Sequence, residues 1–196
     1  RKYALSNLKT LIRGKLYGRD QKEIRDNLYD LPPTLRLPNR DELFRAENVL
    51  ELLRQLEGGP YSLIARQARE IFEQKREPFA LEATIDQRYY AGLVRQVIQF
   101  HDDNLHPLQH LLGSVLDRAD LLWLLRFRFS YKLSPSETYY QLVPSFRLLG
   151  RERLLRLVNL ESYDRVLEAL PPPLDALLAG STNLIEVQKR MGRYVT

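Results

Sequence analysis

Residues 120–129 read Asp120-Leu121-Leu122-Trp123-Leu124-Leu125-Arg126-Phe127-Arg128-Phe129. A helix with this sequence carries large apolar side chains around most of its circumference, which is typical of a helix buried within a bundle. Apolar residues recur at helical spacing along nearly the whole chain, and the alternation typical of strands is almost absent. The sequence therefore predicts an all-α protein.

The composition excludes several classes of protein. Apolar residues make up 44% and charged residues 28% of the 196 residues, as in ordinary globular proteins. The net charge is +5, but arginines alternate with acidic residues. This alternation favours solvent-exposed helix faces over a binding site for an anionic partner. The absence of cysteine excludes disulfides, thiolate metal sites and thiol catalysis. No run approaches the roughly 20 apolar residues of a membrane span, and no signal peptide is visible. The chain opens inside a helical pattern, so we expect a truncated chain.

Several signals predict where helices begin and end. A capping box from Asn39 to Glu42 predicts one helix that continues to Leu56 and stops at Gly58-Gly59-Pro60. Further helices are predicted at residues 61–74, from Pro78 to Phe100, and after a restart at His106-Pro107, with a break at Pro171-Pro172-Pro173.

An internal repeat organises the chain. Residues 7–16 align with residues 120–129 at an offset of 113. Both stretches open with Asn or Asp, continue with apolar residues and close with a basic–x–basic pair. Each is followed by a capping-box pattern, Asp20 with Glu23 in the first copy and Ser134 with Glu137 in the second.

Weaker similarities continue downstream. Tyr61 aligns with Tyr163, and Leu81-Glu82 aligns with Ile185-Glu186 at an offset of 104. We expect loop-length differences to account for the drift in offset. A repeat of this length predicts helical subdomains rather than short solenoid units. The predicted organisation is the end of a first repeat at residues 1–77, a second repeat at 78–177 and the start of a third at 178–196.

Four stretches of the chain carry motifs of a known family. Residues 7–15 are similar to the motif N-L-K-x-L-L-R-G-K, and Glu82, Asp86, Tyr89 and Tyr90 have the spacing E-x-x-x-D-x-x-Y-Y. Both motifs resemble segments of the C/d family of central-stalk socket subunits in V/A-type ATPases. Residues 120–128 occupy the place of its second Leu/Arg segment, and residues 142–144 resemble the turn that follows. The second copy departs from the family in having Phe127 where glycine is expected and Ser145-Phe146 where the pattern has Gly-Gly.

The resemblance implies a funnel of three helical subdomains related by pseudo-threefold symmetry, of which this chain holds about one and a half to two. Such subunits are central-stalk parts of the rotor. They seat on the cytoplasmic face of the membrane proteolipid ring, receive the tip of the central shaft and transmit torque. They carry no catalytic site and no cofactor, and the implied partners include no nucleic acid.

Basic side chains recur at equivalent repeat positions, which makes them the candidate partner interface. As helix C-terminal cations they would interact with the helix dipole. As a ring of positive charge on one rim of the funnel, they would face an acidic shaft tip or polar loops of the ring. The set consists of Arg13, Lys15, Arg126, Arg128 and Lys132.

Catalytic and metal alternatives have weaker support. His106 and His110 have the spacing of zinc ligands on a helix and lie near His101. Pro107 interrupts the segment, and a polar loop capped by Asp102, Asp103 and Asn104 is favoured over a metal site. Glu82 and Asp86 share a helix face and could act as an acid–base pair. Because Arg88 and other nearby residues could form salt bridges with them, a surface salt-bridge face is favoured over catalysis. The glycines at 14 and 18 lack the frame of a phosphate-binding loop.

Nucleic-acid binding is the remaining alternative. Five aromatic residues interleave with the basic residues around position 128, as in proteins that stack single-stranded bases. Their helical spacing beside a leucine core favours packing instead. The aromatic residues are Phe127, Phe129, Tyr131, Tyr139 and Tyr140.

Overall fold

The computed structural model describes residues 2–99 and 106–195, and all regular structure in these ranges is helical. An all-α fold is therefore confirmed. The helices are α1 Lys2–Leu16, α2 Gln21–Asp26, α3 Arg40–Arg45, α4 Val49–Leu56, α5 Ser62–Lys75, α6 Pro78–Gln99, α7 His106–Leu125, α8 Pro135–Gln141, α9 Arg151–Val158, α10 Tyr163–Glu168, α11 Leu174–Leu178 and α12 Leu184–Val195. A 3₁₀ turn covers Pro33–Leu35, and a π-helical turn at Arg126–Ser130 follows α7 directly.

The chain divides into two compact units, residues 1–88 and 89–196. In the first unit, α1 buries the apolar face that its spacing predicts, with Leu8 and Ile12 almost completely inaccessible. α4 likewise buries residues at i, i+3, i+4 and i+7, so both helices are held by one apolar stripe. The predicted boundaries at residues 77 and 177 separate copies of a sequence pattern, whereas the two units are defined by compactness. The structure therefore does not test the repeat boundaries, and they stay a prediction.

The predicted helix from Asn39 to Leu56 is wrong, because the segment forms two helices. Asn39 has a φ of +48° and its side chain makes no capping bond. α3 ends at Arg45, and the chain then extends at Ala46 (ψ 130°). Asn48 is the residue that caps α4, accepting a hydrogen bond from the backbone N–H of Glu51 at 3.0 Å.

In the second unit, α7 and α12 pack together over one apolar core. Leu121, Leu124 and Leu125 of α7 meet Val187 and Met191 of α12 in that core. α8 begins with a complete capping box, in which Ser134 accepts from the N–H of Glu137 while Glu137 accepts from the N–H of Ser134. The prediction made for this helix start is confirmed, with Pro135 at its first position.

Two of the weaker sequence alignments are wrong. Leu81 is completely buried, whereas Ile185, its partner at an offset of 104, is 80% exposed. An offset of 106 matches burial instead, pairing Leu81 and Ile85 with the fully buried Val187 and Met191. Tyr61 and Tyr163 also differ in place. Tyr61 precedes α5, whereas Tyr163 follows Ser162, the N-cap of α10, which corresponds to Asn48 before α4.

Within the described ranges, no helix combines the length and the apolar character needed to cross a bilayer.

Candidate functional site

Lys15, at the end of α1, binds the main chain at the end of α3. Its Nζ donates to the carbonyl oxygens of Phe44 and Ala46, both at 2.5 Å. Burial lowers the pKa of this ammonium, and the nearby Glu51 opposes that effect. Because the terminal carbonyls of a helix lack intrahelical partners, a cation there satisfies them and interacts with the dipole.

Arg128 makes the corresponding contact in the second unit. Its Nε donates to the carbonyl oxygen of Val158, the last residue of α9, at 2.7 Å, and its Nη1 donates to that of Leu133 at 2.8 Å. Lys15 and Arg128 are related by the offset of 113. In each unit, therefore, the second basic residue of the pair closes the end of a helix about 30 residues downstream.

The first basic residue of each pair reaches a different helix. Arg13 forms a bidentate ion pair with Glu82 of α6, with both N–O distances 2.6 Å. This hydrogen-bonded pairing raises the pKa of Arg13. Arg126 donates to the side-chain oxygen of Gln188 on α12 at 3.4 Å. Glu82 and Gln188 are related by the offset of 106 that burial supports, so the two contacts are equivalent.

Lys132 occupies a left-handed turn. Its φ is +57°, and Gly18 has the same kind of conformation, with φ +61°, in the first unit. Lys132 is exposed, and its side chain makes no hydrogen bond or ion pair to any part of the chain that the structure describes. Among the five predicted interface residues, Lys132 is the one whose charged group is not bound by an acceptor within the described residues.

A single inserted residue explains why the offset changes from 113 to 114. In the first unit, Tyr17 N–H donates to the carbonyl of Arg13, whereas the π turn makes Tyr131 N–H donate to Arg126, one residue further apart. From this turn as far as Ser162, the equivalent positions differ by 114. They include the left-handed residues Gly18 and Lys132 and the helix N-caps Asp20 with Ser134 and Asn48 with Ser162.

Asn7 and Asp120 fasten an extended segment in each unit, a role that sequence reasoning missed. Asn7 Oδ1 accepts the N–H of Tyr29 at 2.8 Å, and its Nδ2 donates to the carbonyl of Tyr29 at 2.9 Å. Asp120 Oδ1 accepts the N–H of Val143 at 3.0 Å. The sequence signal of this role was that both repeat copies start with Asn or Asp.

Asp117 and Asp120 are buried carboxyl groups on consecutive turns of α7. Asp117 accepts the backbone N–H groups of Leu148 and Leu149 and the hydroxyl of Tyr194. Desolvation raises the pKa of both groups, well above the usual range for Asp120, whose Oδ2 finds no partner within the described residues. These contacts hold the segment after α8 and the helix α12 against α7.

The pair of Glu82 and Asp86 is built differently from the prediction. Glu82 and Asp86 do form ion pairs, but their partners are Arg13 and Lys9 of α1 rather than Arg88. Asp86 is also buried instead of lying on a surface face, with 8% exposure. Lys9 Nζ lies 2.8 Å from both carboxylate oxygens of Asp86. These contacts are structural.

The histidine site has little geometric support. His106 and His110 are exposed at the start of α7, where Pro107 lies in the first turn and does not interrupt the helix. His101 lies outside the described residues. Within the described ranges, no three His, Asp or Glu side chains form a group able to hold a metal.

Most of the aromatic residues pack, as predicted. Phe127 is buried, and Phe129 and Tyr139 pack against the core of the second unit. Tyr140 and Tyr131 are 79% and 41% exposed, although their rings lie beside those of Tyr139 and Phe127.

Comparison with known proteins shows which family the chain resembles. The family model described as ATP synthase (C/AC39) subunit matches residues 1–196. The chain belongs to the ATP synthase (C/AC39) subunit family.

Relatives within this family are similar but longer. The C subunit of the A-type ATP synthase of Methanosphaera stadtmanae is 26% identical over 140 residues, which cover 71% of this chain and 34% of that protein. Its counterpart in the A-type ATP synthase of Methanothermobacter thermautotrophicus is 25% identical over 170 residues, covering 87% of this chain and 43% of that protein. The chain thus spans about one third to two fifths of the length of these curated relatives.

Proposed function

We propose that this chain is part of a non-catalytic central-stalk subunit of a V/A-type ion-translocating ATPase. In this role it links the rotor shaft to the membrane proteolipid ring and transmits torque, at the periphery of the membrane on its cytoplasmic side. The observation that carries the proposal is the match of the ATP synthase (C/AC39) subunit family across the whole chain. Relatives named as the C subunit of A-type ATP synthases support it.

The internal contacts suit a part that must resist twisting. Lys15 and Arg128 each hold the end of a later helix, and Arg13 forms a bidentate pair with α6. Each contact joins elements far apart in sequence and so opposes local opening of the unit. A torque-transmitting spacer needs such fastenings more than it needs a reactive group.

The recurrence of these contacts supports the predicted helical repeats. Three pairs, Asn7 with Asp120, Lys15 with Arg128 and Arg13 with Arg126, make the same kinds of contact in the two units. We infer that residues 1–77, 78–177 and 178–196 belong to three copies of one subdomain. The pseudo-threefold funnel is part of the same proposal.

Among the five predicted interface residues, we assign partner binding to Lys132 and Arg126. Lys132 is exposed, and the polar contact of Arg126 is a single 3.4 Å hydrogen bond, beside a cation–π contact with Trp123 at 5.3 Å. Arg13, Lys15 and Arg128 are instead fasteners within their units, because two short bonds engage each of them.

Affinity purification of the protein from detergent-solubilised membranes, followed by mass spectrometry, tests the function. We expect the proteolipid ring and the central shaft subunits to be recovered with it. Recovery of nucleic acid without any other ATPase component, lost steeply as salt is raised, would replace the proposal with a nucleic-acid-binding function. Lys132→Gly combined with Arg126→Gln tests the interface, and we expect it to lower recovery of the partner subunits. Arg151→Gln with Arg156→Gln is the control pair, because it removes the same two positive charges from exposed positions on α9.

A further inference from the structure

A recess lies between α10, α11 and the turn that precedes α12. Its volume is about 620 Å³, which falls within the roughly 300–1,000 Å³ of typical ligand pockets. Leu167 and Leu178, both buried, supply apolar surface to it. A recess of this size accommodates a side chain together with part of its backbone.

The rim of the recess is acidic, although the chain as a whole is basic. Asp164, Glu168 and Asp175 line it. Glu168 has an ion-pair partner in Arg165, with a 4.0 Å separation and an Arg165 side chain that is 75% exposed. Asp164 and Asp175 have no ion-pair partner within residues 2–99 and 106–195. The carboxylates are therefore available to a cation from outside.

A buried hydroxyl in the wall of the recess lacks a partner. Ser181 is 4% exposed, and its Oγ makes no hydrogen bond within the part of the chain that the structure describes. Its backbone N–H is satisfied by the carbonyl of Leu178 at 3.0 Å. A buried hydroxyl left unpaired costs about 1–3 kcal/mol. A ligand that donates a hydrogen bond to Oγ recovers this cost.

The neighbouring cation, Arg190, forms no ion pair with the carboxylates of the recess within the described residues. Its Nη1 donates to the carbonyl oxygens of Ala179 and Leu177, at 2.6 and 3.4 Å, and so closes the end of α11. A metal ion is a poor occupant, because no three acidic or histidine side chains of the described residues form a group able to hold one.

We propose that this recess binds an arginine side chain presented by a partner protein. The aliphatic stem of arginine packs on the two leucines, and its planar guanidinium offers five donors to the carboxylates and to Ser181 Oγ. Charge-assisted hydrogen bonds of this kind are about twice as strong as neutral ones. The recess and its occupant are independent of the stalk function proposed above.

Amide NMR titration of the 196-residue chain tests the proposal directly. The probe is the blocked peptide acetyl-Leu-Arg-Leu-amide, and the matched control is the same peptide with citrulline, which has the shape of arginine without its charge. We expect the arginine peptide to shift the signals of Gly180, Ser181 and Thr182, and the citrulline peptide to bind at least about tenfold more weakly, or ~1.4 kcal/mol.

Variants locate the binding. Asp164→Asn, Glu168→Gln and Asp175→Asn together should weaken the arginine peptide at least tenfold, and Ser181→Ala alone should weaken it severalfold. The control carries Glu70→Gln, Glu77→Gln and Glu152→Gln, which remove the same charge from exposed positions elsewhere. Far-UV circular dichroism confirms that each variant is folded. The proposal is overturned if the control loses as much affinity as the recess variant, or if millimolar peptide shifts none of the three signals.

Discussion

Asn7 and Asp120 hold equivalent backbone groups with different chemistry. Asn7 both accepts from and donates to the main chain of Tyr29, whereas Asp120 only accepts from Val143. The amide satisfies its two polar atoms, and the carboxyl leaves Oδ2 without a partner among the described residues. The second unit therefore keeps a buried carboxyl group where the first has a neutral amide.

The first prediction is that Asp120→Asn stabilises the protein at neutral pH. Burial raises the pKa of Asp120, so the folded state binds its proton more tightly than the unfolded state does. Stability is then lost as pH rises from the unfolded pKa of about 3.9 through the folded value. We expect Asp120→Asn to be more stable than the wild-type protein at pH 7, and little changed near pH 4, in urea denaturation.

Asn7→Asp is the matched reverse substitution. It places a carboxyl group against the carbonyl of Tyr29, and we expect it to destabilise the protein at pH 7 more than at pH 4. A lower stability of Asp120→Asn at pH 7 would show that the carboxylate is better accommodated than its burial implies.

Lys15→Met should loosen the end of α3. The substitution leaves the carbonyls of Phe44 and Ala46 without their charged donor, at a cost of about 1–2 kcal/mol. Hydrogen exchange should accelerate at residues 44–48. Arg13→Met is the control, because its partly exposed ion pair contributes about 1 kcal/mol or less. Unchanged exchange in Lys15→Met would remove the helix-closing role.

Gly14 is required by the approach of α2 to α1. A Cβ at position 14 would lie 2.3 Å from Cδ1 of Ile24 and 2.4 Å from its Cγ1. We expect Gly14→Ala to destabilise the protein by about 1–2 kcal/mol, since overpacking outweighs the gain of roughly 1 kcal/mol in helix propensity. In an Ile24→Ala background the same change should become stabilising. Additive effects in this double-mutant cycle, measured by denaturation, would contradict the contact.

The buried ion pair between Lys9 and Asp86 should contribute more than the surface pairs. Removing one partner leaves the other charge poorly solvated, so Asp86→Ala should cost about 1–3 kcal/mol. Asp30→Ala, whose pair with Arg36 is exposed, should cost about 0–1 kcal/mol. Equal losses in thermal denaturation would mean that the Lys9 pair has no special role.

Lys132→Gly should preserve or raise stability while removing an exposed charge. Lysine in the left-handed conformation is strained, and glycine already serves at the equivalent position 18. We expect a change between about zero and +1 kcal/mol, whereas Lys132→Ala, which keeps the strain, should give no gain. A loss with glycine would indicate that the lysine side chain stabilises the turn.

Local sequence signals predicted the elements whose causes are local. The capping box of Ser134 and Glu137 marks the start of α8 because both partners lie within one turn. The apolar spacing of α1 similarly identifies its buried face. The break between α3 and α4 also has a local signal, because Asn48 caps α4 through Glu51 three residues later. The contact of Lys15 with the end of α3 has no such signal, since Lys15 lies about 30 residues earlier.

The offset between the repeat copies also could not be predicted from the sequence alone. Sequence similarity alone suggested an offset of 104 for α12, whereas burial supports 106. The step from 113 to 114 arises inside the π turn, where one more residue fits without breaking the helix. The partners of Glu82 and Asp86 were equally inaccessible to sequence reasoning, because proximity in the chain favoured Arg88 over α1.

The acceptors of Lys15 and Arg128 are main-chain oxygens, and this has a consequence for divergence. Every residue type supplies a carbonyl, so mutations at Phe44, Ala46 or Val158 leave the acceptor in place. Only the donor side chain must be retained, and lysine and arginine both serve. The two units can therefore differ in most of their side chains while the same kind of bond closes a helix in each.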